Sequence, residues 1–338
     1  MSAAAPSLDA VLGDAQWLPL RLSEDATTIR FVHLPREDHQ RLRYLEDKFL
    51  PAGTATADLP VALVAARPIA AAPPRFIFHS SMCGSTLLAR VLDQPGHSMA
   101  LAEPIILNQI SARFSRGEDV GELLALAVAL LSRPFGAGEQ VVIKPGNSAN
   151  NLMPQIAERF PQMRAVALEA SVEDLLRAVA KRGPQGRIIY RRLYAFVART
   201  RHLDTGFTPE DMWELTDLQA AALAWLVQHC EFADMLKQRP DQFRSLTMDA
   251  LLGERGDAMT ALGAFFEAAW APAEVASDPR FNRHSKDSGR AYDDHQRRRD
   301  AEEVNRAFGP EIEWTGVWTR DLAEHLAIPL DLPNQLVR

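Results

Sequence analysis

Short apolar runs, each coupled to apolar residues at helical spacing, recur along the middle of the chain. Arg75-Phe-Ile-Phe-His79 reads as a buried strand. The small-residue turn Ser80-Ser-Met-Cys-Gly-Ser-Thr86 follows, and Leu87-Leu-Ala-Arg-Val-Leu92 continues as a helix. Gln140-Val-Val-Ile-Lys144 and Arg164-Ala-Val-Ala-Leu168 are further strands. Helices are expected around Ile105 to Phe114 and Val120 to Leu131, from about Asn151 to Phe160, and over Val172 to Arg182. Strands alternating with helices predict an α/β fold of three layers, α/β/α, with a central, mostly parallel sheet and an added helical region. That region runs from Pro209 to Lys237, before a strand at Phe243 to Thr247 and a helix over Asp257 to Trp270. A polar, charged tail from Asp278 holds a helix at Arg297 to Phe308 and then Trp314 and Trp318. Upstream, Gln16 to Leu34 suggests two short strands and Glu37 to Phe49 a helix, neither with recognisable chemistry. Ala65 to Pro74 reads as a linker or the edge of the main domain. Residues 1–74 are therefore expected to form an N-terminal extension, and residues 75–338 the main domain.

With 338 residues, 47% of them hydrophobic, the chain can bury a large core. A formal net charge of -7 argues against a nucleic-acid partner, so any anion site must be local. Cys83 and Cys230 fit no zinc or disulfide framework and suit a reducing compartment. Met1 to Trp17 does not read as a secretory signal, and Leu123 to Leu131 is about half the length a membrane span needs. The expectation is a soluble, cytoplasmic protein without a membrane partner.

Chemistry concentrates at the turn after the first strand. A helix starting there presents unpaired N–H groups and the positive end of its dipole to the loop, which suits an anion. Gly84 permits close backbone approach, Ser85 and Thr86 offer hydroxyl donors, and Ser80, Ser81 and Cys83 are small enough for the loop to wrap a phosphate. A nucleoside-triphosphate loop needs glycine at its first position and lysine before the Ser/Thr, where this chain has His79 and Ser85. That counts against kinases and nucleotide hydrolases. A sulfuryl donor makes a smaller electrostatic demand.

The segment from Phe76 to Leu92 resembles the 5'-phosphosulfate-binding loop of the sulfotransferase superfamily. Ala102-Glu-Pro104 resembles the family's acidic element after the first helix, as found in bacterial and tyrosylprotein-type members. Val142-Ile-Lys-Pro-Gly-Asn147 is similar to its Lys-x-Pro segment, although here Pro145 follows Lys144 directly. Phe160 to Leu168 resembles its Phe-Pro strand lead-in, and Phe243 to Leu251 more loosely its strand, turn and helix. The resemblance implies 3'-phosphoadenylyl sulfate as donor, 3'-phosphoadenosine 5'-phosphate as product, and no metal. It places Ser81, Met82, Cys83, Gly84, Ser85 and Thr86 around the donor. Three positions depart from the family pattern. Met82 stands for a basic residue, Glu169 for the arginine that holds the 3'-phosphate, and Arg177 for a serine. Arg177 is a candidate for the charge missing at Glu169, and Arg283 and Lys286 are candidate 3'-phosphate contacts. A solvated charged loop is the competing account of the last two.

Glu103 is the candidate base, with capping of the helix from Ile105 as its plain alternative. Lys144 ends an apolar strand and is the candidate stabiliser of charge on the leaving phosphate, or else a flanking surface lysine. His79 and His97 are rival bases ranked below Glu103. The arginines from Arg187 to Arg201 either line an entrance for an acidic acceptor or, as the favoured reading, form the solvent face of a helix, and the region Arg187 to Gln238 is where an acceptor site is expected. The sequence leaves the acceptor and the oligomeric state open. Two other functional readings stand beside the sulfotransferase: a P-loop kinase or hydrolase, and a nucleotide-binding protein on a degenerate sulfotransferase scaffold.

Overall fold

The computed structural model describes residues 6–284, 287–291 and 294–337. Its centre is a five-stranded parallel sheet made of β4 (Arg75–His79), β5 (Ser98–Ala102), β6 (Gln140–Lys144), β7 (Arg164–Glu169) and β8 (Phe243–Thr247), in the order β5-β6-β4-β7-β8. Before it, β1 (Trp17–Leu22), β2 (Thr28–His33) and β3 (Thr56–Pro60) form an antiparallel meander. The expected α/β architecture with helices on both faces is present.

Side chains alternate between the two faces of β4, as the pleat requires. Phe76 and Phe78 enter a core shared with β1, β2 and the helices Ile105–Phe114 and Gly121–Leu131. Ile77 enters a second core with the loop helix Ser85–Val91 and the helix Arg255–Phe266. A third core joins helices Val172–Lys181 and Gly183–Thr200 to the long helix Asp217–Gln238 and the C-terminal helix Asp294–His325. No helix among the described residues is long and apolar enough to cross a membrane.

Several sequence expectations need correction. Ser98–Ala102 is an edge strand although it carries no β-branched residue; its pairing with β6 and its burial decide the conformation over local propensity. The helix expected over Glu37 to Phe49 stops at Arg41. The chain then runs alongside β5, with the Leu45 N–H donating to the Ala102 carbonyl at 2.9 Å and the Ile105 N–H to the Leu45 carbonyl at 3.0 Å. The helical stretch expected from Pro209 to Lys237 is two helices, because Thr216 caps a new start through a reciprocal box with Gln219. Trp314 and Trp318 lie inside the C-terminal helix, which continues through Pro310.

Candidate functional site

Four adjacent strands deliver chemistry at their C-terminal ends, where open α/β sheets place ligands. The loop follows β4, Glu103 follows β5, Lys144 ends β6 and Glu169 ends β7.

The loop turns through three left-handed residues, Ser81 (φ 75°), Met82 (φ 52°) and Gly84 (φ 81°), before the helix begins at Ser85. Only Gly84 adopts that conformation without a Cβ penalty, and successive backbone N–H groups in such a turn form an anion-binding concavity. The Ser80 hydroxyl is buried and has no hydrogen-bond partner among the described residues. Cys83 is buried with its thiol donating to the Leu168 carbonyl at 3.2 Å, and burial pushes its pKa up, which disfavours the thiolate. Met82 packs against the third core.

His79 is held on both sides. Its Nδ1 accepts from the Ser81 N–H at 3.0 Å and its Nε2 donates to the Pro145 carbonyl at 3.1 Å. Those contacts fix a neutral tautomer that shapes the loop. His97 is exposed and precedes β5, at the opposite end of that strand from Glu103.

Lys144 is completely buried, and its Nζ donates to Glu103 Oε1 at 2.6 Å. Glu103 is partly exposed and strained at φ 47°; its N–H donates to the Lys144 carbonyl at 2.7 Å. Its Oε2 takes no hydrogen bond from any described residue, so one carboxylate oxygen is available. Tyr44 closes this corner: its hydroxyl lies near the Thr86 and Arg43 side chains, and its ring lies 5.9 Å from Lys144 Nζ. Burial, with the Glu103 charge adding to it, raises the Tyr44 pKa.

Glu169 is paired. The His229 Nδ1 is 2.9 Å from its Oε2, while His229 Nε2 donates to the Pro329 carbonyl at 2.7 Å. Burial opposes a charge on the imidazole, but the Glu169 hydrogen bond and charge outweigh it and raise the His229 pKa. One proton shared between the two makes the pair neutral overall, so Glu169 does not oppose an anion at the loop.

Arg177 is engaged by Asp174 at 2.6 Å and Asn305 at 3.2 Å. Arg283 lines a cavity on the β5 side, with Arg43 and Arg90. Lys286 lies outside the described residues. Of the arginines in the helix Gly183–Thr200, Arg187 and Arg191 face Asp217, and Arg187 also faces Glu311.

Sequence reasoning missed Tyr44, Asn150 and the pair Gln228-His229. Asn150 Nδ2 donates to the His79 carbonyl at 3.0 Å and to Gln228 Oε1 at 3.1 Å, bracing the base of the loop. The signal for Gln228 and His229 was two polar residues ending the apolar run from Ala220 to Val227. Tyr44 gave none, because its position depends on the extended segment beside β5.

No family model matches the chain, and no curated protein matches it significantly. Among solved structures it is similar to the sulfotransferase domain from the curacin biosynthetic pathway, at 15% identity over 78% of this chain and 100% of that one, with a TM-score of 0.41. A likeness of that size assigns no activity and no residue.

Proposed function

We propose that this protein is a sulfotransferase that uses 3'-phosphoadenylyl sulfate to sulfate a hydroxyl or amine group. The observation that carries the reading is the Lys144–Glu103 pair at 2.6 Å, set on neighbouring strands beside a loop of left-handed residues that has no lysine of its own. The residues suit such a donor: the loop N–H groups and the unpartnered Ser80 hydroxyl offer donors to a phosphosulfate, and His229 neutralises Glu169. The donor supplies the sulfuryl group and the phosphate leaving group. Glu103 Oε2 then accepts the proton of the acceptor, while Lys144 fixes the other oxygen and holds a positive charge near the loop. Lys286 remains a candidate for the donor's 3'-phosphate, as does Arg177 if it releases Asp174, whereas Arg283 lies at the cavity beside β5.

Calorimetric titration with 3'-phosphoadenosine 5'-phosphate, with ATP and Mg²⁺ as control, tests the reading. The bisphosphate is expected to bind and ATP not to, and Gly84→Asp is expected to abolish binding by placing a carboxylate in the concavity. Absence of bisphosphate binding would sink the proposal, in favour of a kinase if ATP binds instead.

A further inference from the structure

Beside Glu103 lies a cavity of about 350 Å³, walled by the segment 39–45, one side of the loop helix and the strand β5. Its charge is lopsided. Arg41, Arg43, Arg90 and Arg283 line it, and none of the four has a carboxylate partner among the described residues. The lining carboxylate Asp93 is taken up by Arg36 at 3.1 Å. Arg280 is taken up by Asp278 at 2.6 Å and also donates to the Arg90 carbonyl. The remaining lining histidine, His39, is buried, and burial lowers its pKa, which leaves it neutral. Arg43 carries a second mark: its Nε is buried with no hydrogen-bond partner among the described residues, although its guanidinium lies 5.3 Å from the Tyr44 ring centroid. Burial pushes the Arg90 pKa down, and the nearby Arg43 and Arg280 act in the same direction. Guanidinium groups gathered in a partly buried wall without counter-charge among the described residues are completed by an oxyanion, which their planar donors match in pairs. The wall reaches the reaction centre through Ala102, next to Glu103, and through Tyr44.

We propose that this cavity binds an oxyanion of the acceptor, so that the molecule to be sulfated is small and carries a phosphate or carboxylate beside its reacting hydroxyl or amine. The inference rests on the sulfotransferase reading, and it assigns Arg43 and Arg90 as the residues that select the acceptor. A cavity of this size takes a small molecule.

The test is calorimetric titration of the full chain with glycerol 2-phosphate, glycerate and glycerol, each with and without saturating 3'-phosphoadenosine 5'-phosphate. One anionic probe is expected to bind in the presence of the bisphosphate and glycerol not to; which anion binds separates a phosphate from a carboxylate. Arg43→Gln and Arg90→Gln are expected to weaken the anion at least tenfold and leave bisphosphate affinity unchanged. Arg90→Lys should retain part of the binding. Arg41→Gln, at an exposed position, gives the same direction of change if either half-buried variant fails to fold. Bisphosphate binding with neither anion bound would overturn the inference and leave the sulfotransferase reading standing. Competition between anion and bisphosphate, or loss of bisphosphate binding in Arg90→Gln, would assign the cavity to the donor and equally overturn it. If the bisphosphate itself does not bind, the reading fails and the inference falls with it.

Discussion

Lys144 is an ammonium with no exposed surface, and Glu103 is the carboxylate that balances it. Removing one member of such a pair leaves the other uncompensated, whereas replacing both is mild. Glu103→Gln is therefore expected to lower stability by about 2 kcal/mol, discounted because Glu103 is partly exposed. The same variant should lower turnover by roughly 100-fold or more, the usual contribution of a general base. The double variant Glu103→Gln/Lys144→Met should recover stability in urea denaturation but not turnover, and recovery of both would show the pair to be structural only. Gly84→Ala isolates the loop backbone. The added Cβ meets only the end of Leu251 at 3.4 Å, so the cost comes from the φ of 81° and is about 1–2 kcal/mol, with weaker bisphosphate binding measured by calorimetry. Gly84, Glu103 and Lys144 were legible because a turn glycine and polar residues at strand ends are local signals. Tyr44 and Arg43 were not, since what brings them to Glu103 is a pairing between residues far apart in sequence.

The long helix Asp217–Gln238 joins this corner to the pH dependence of the fold. It is buried nearly all round from Leu218 to Cys230, and the polar groups it carries inward must be satisfied or neutral. His229 has a folded pKa above its unfolded 6.5, so the stability it contributes is fully present below pH 6.5 and is lost as pH rises through the folded value. On the same helix, burial pushes Glu231 up to about 7 from 4.5. The folded protein holds that proton more tightly, so stability also falls as pH rises from 4.5 through 7, by on the order of 3 kcal/mol. Urea midpoints should thus decline from pH 4.5 to beyond 6.5. Glu231→Gln should flatten the lower part of that decline and leave the upper part; an unchanged profile would contradict the burial of Glu231. His229→Ala removes the Glu169 partner and should cost on the order of 3 kcal/mol. At this scale the sequence showed strands β4, β6 and β7 through apolar runs, and β8 through its β-favouring Phe243 and Thr247 around Leu246. It hid β5, whose Ala, Met and Leu carry no strand preference and obey the sheet only through pairing.

Across the whole molecule, the segment before Arg75 and the parallel sheet share a core. Leu18, Leu20, Ile29 and Phe31 belong to the same buried cluster as Phe76, Phe78 and Ile143. The two parts are also tied by polar contacts: Gln109 Oε1 accepts from the Leu22 N–H at 2.8 Å, and Arg133 donates to the carbonyls of Val11 and Leu12 at 3.1 and 3.0 Å. The segment also supplies Tyr44 and Arg43 to the candidate site, so residues 6–74 form part of both the core and that corner. Phe31→Ala, far from the loop, is expected to cost about 3–5 kcal/mol through the cavity it leaves. Because the core is continuous, that loss should move a single unfolding transition followed both by circular dichroism and by the loss of bound 3'-phosphoadenosine 5'-phosphate. A fragment of residues 75–338 would expose one face of β4, β5 and β6 along with the apolar side of the helix Gly121–Leu131, and is expected to lack a cooperative transition altogether. Two separate transitions in the full chain, with bisphosphate binding following only the later one, would instead make the meander an independent unit and leave the parallel sheet as the minimal fold.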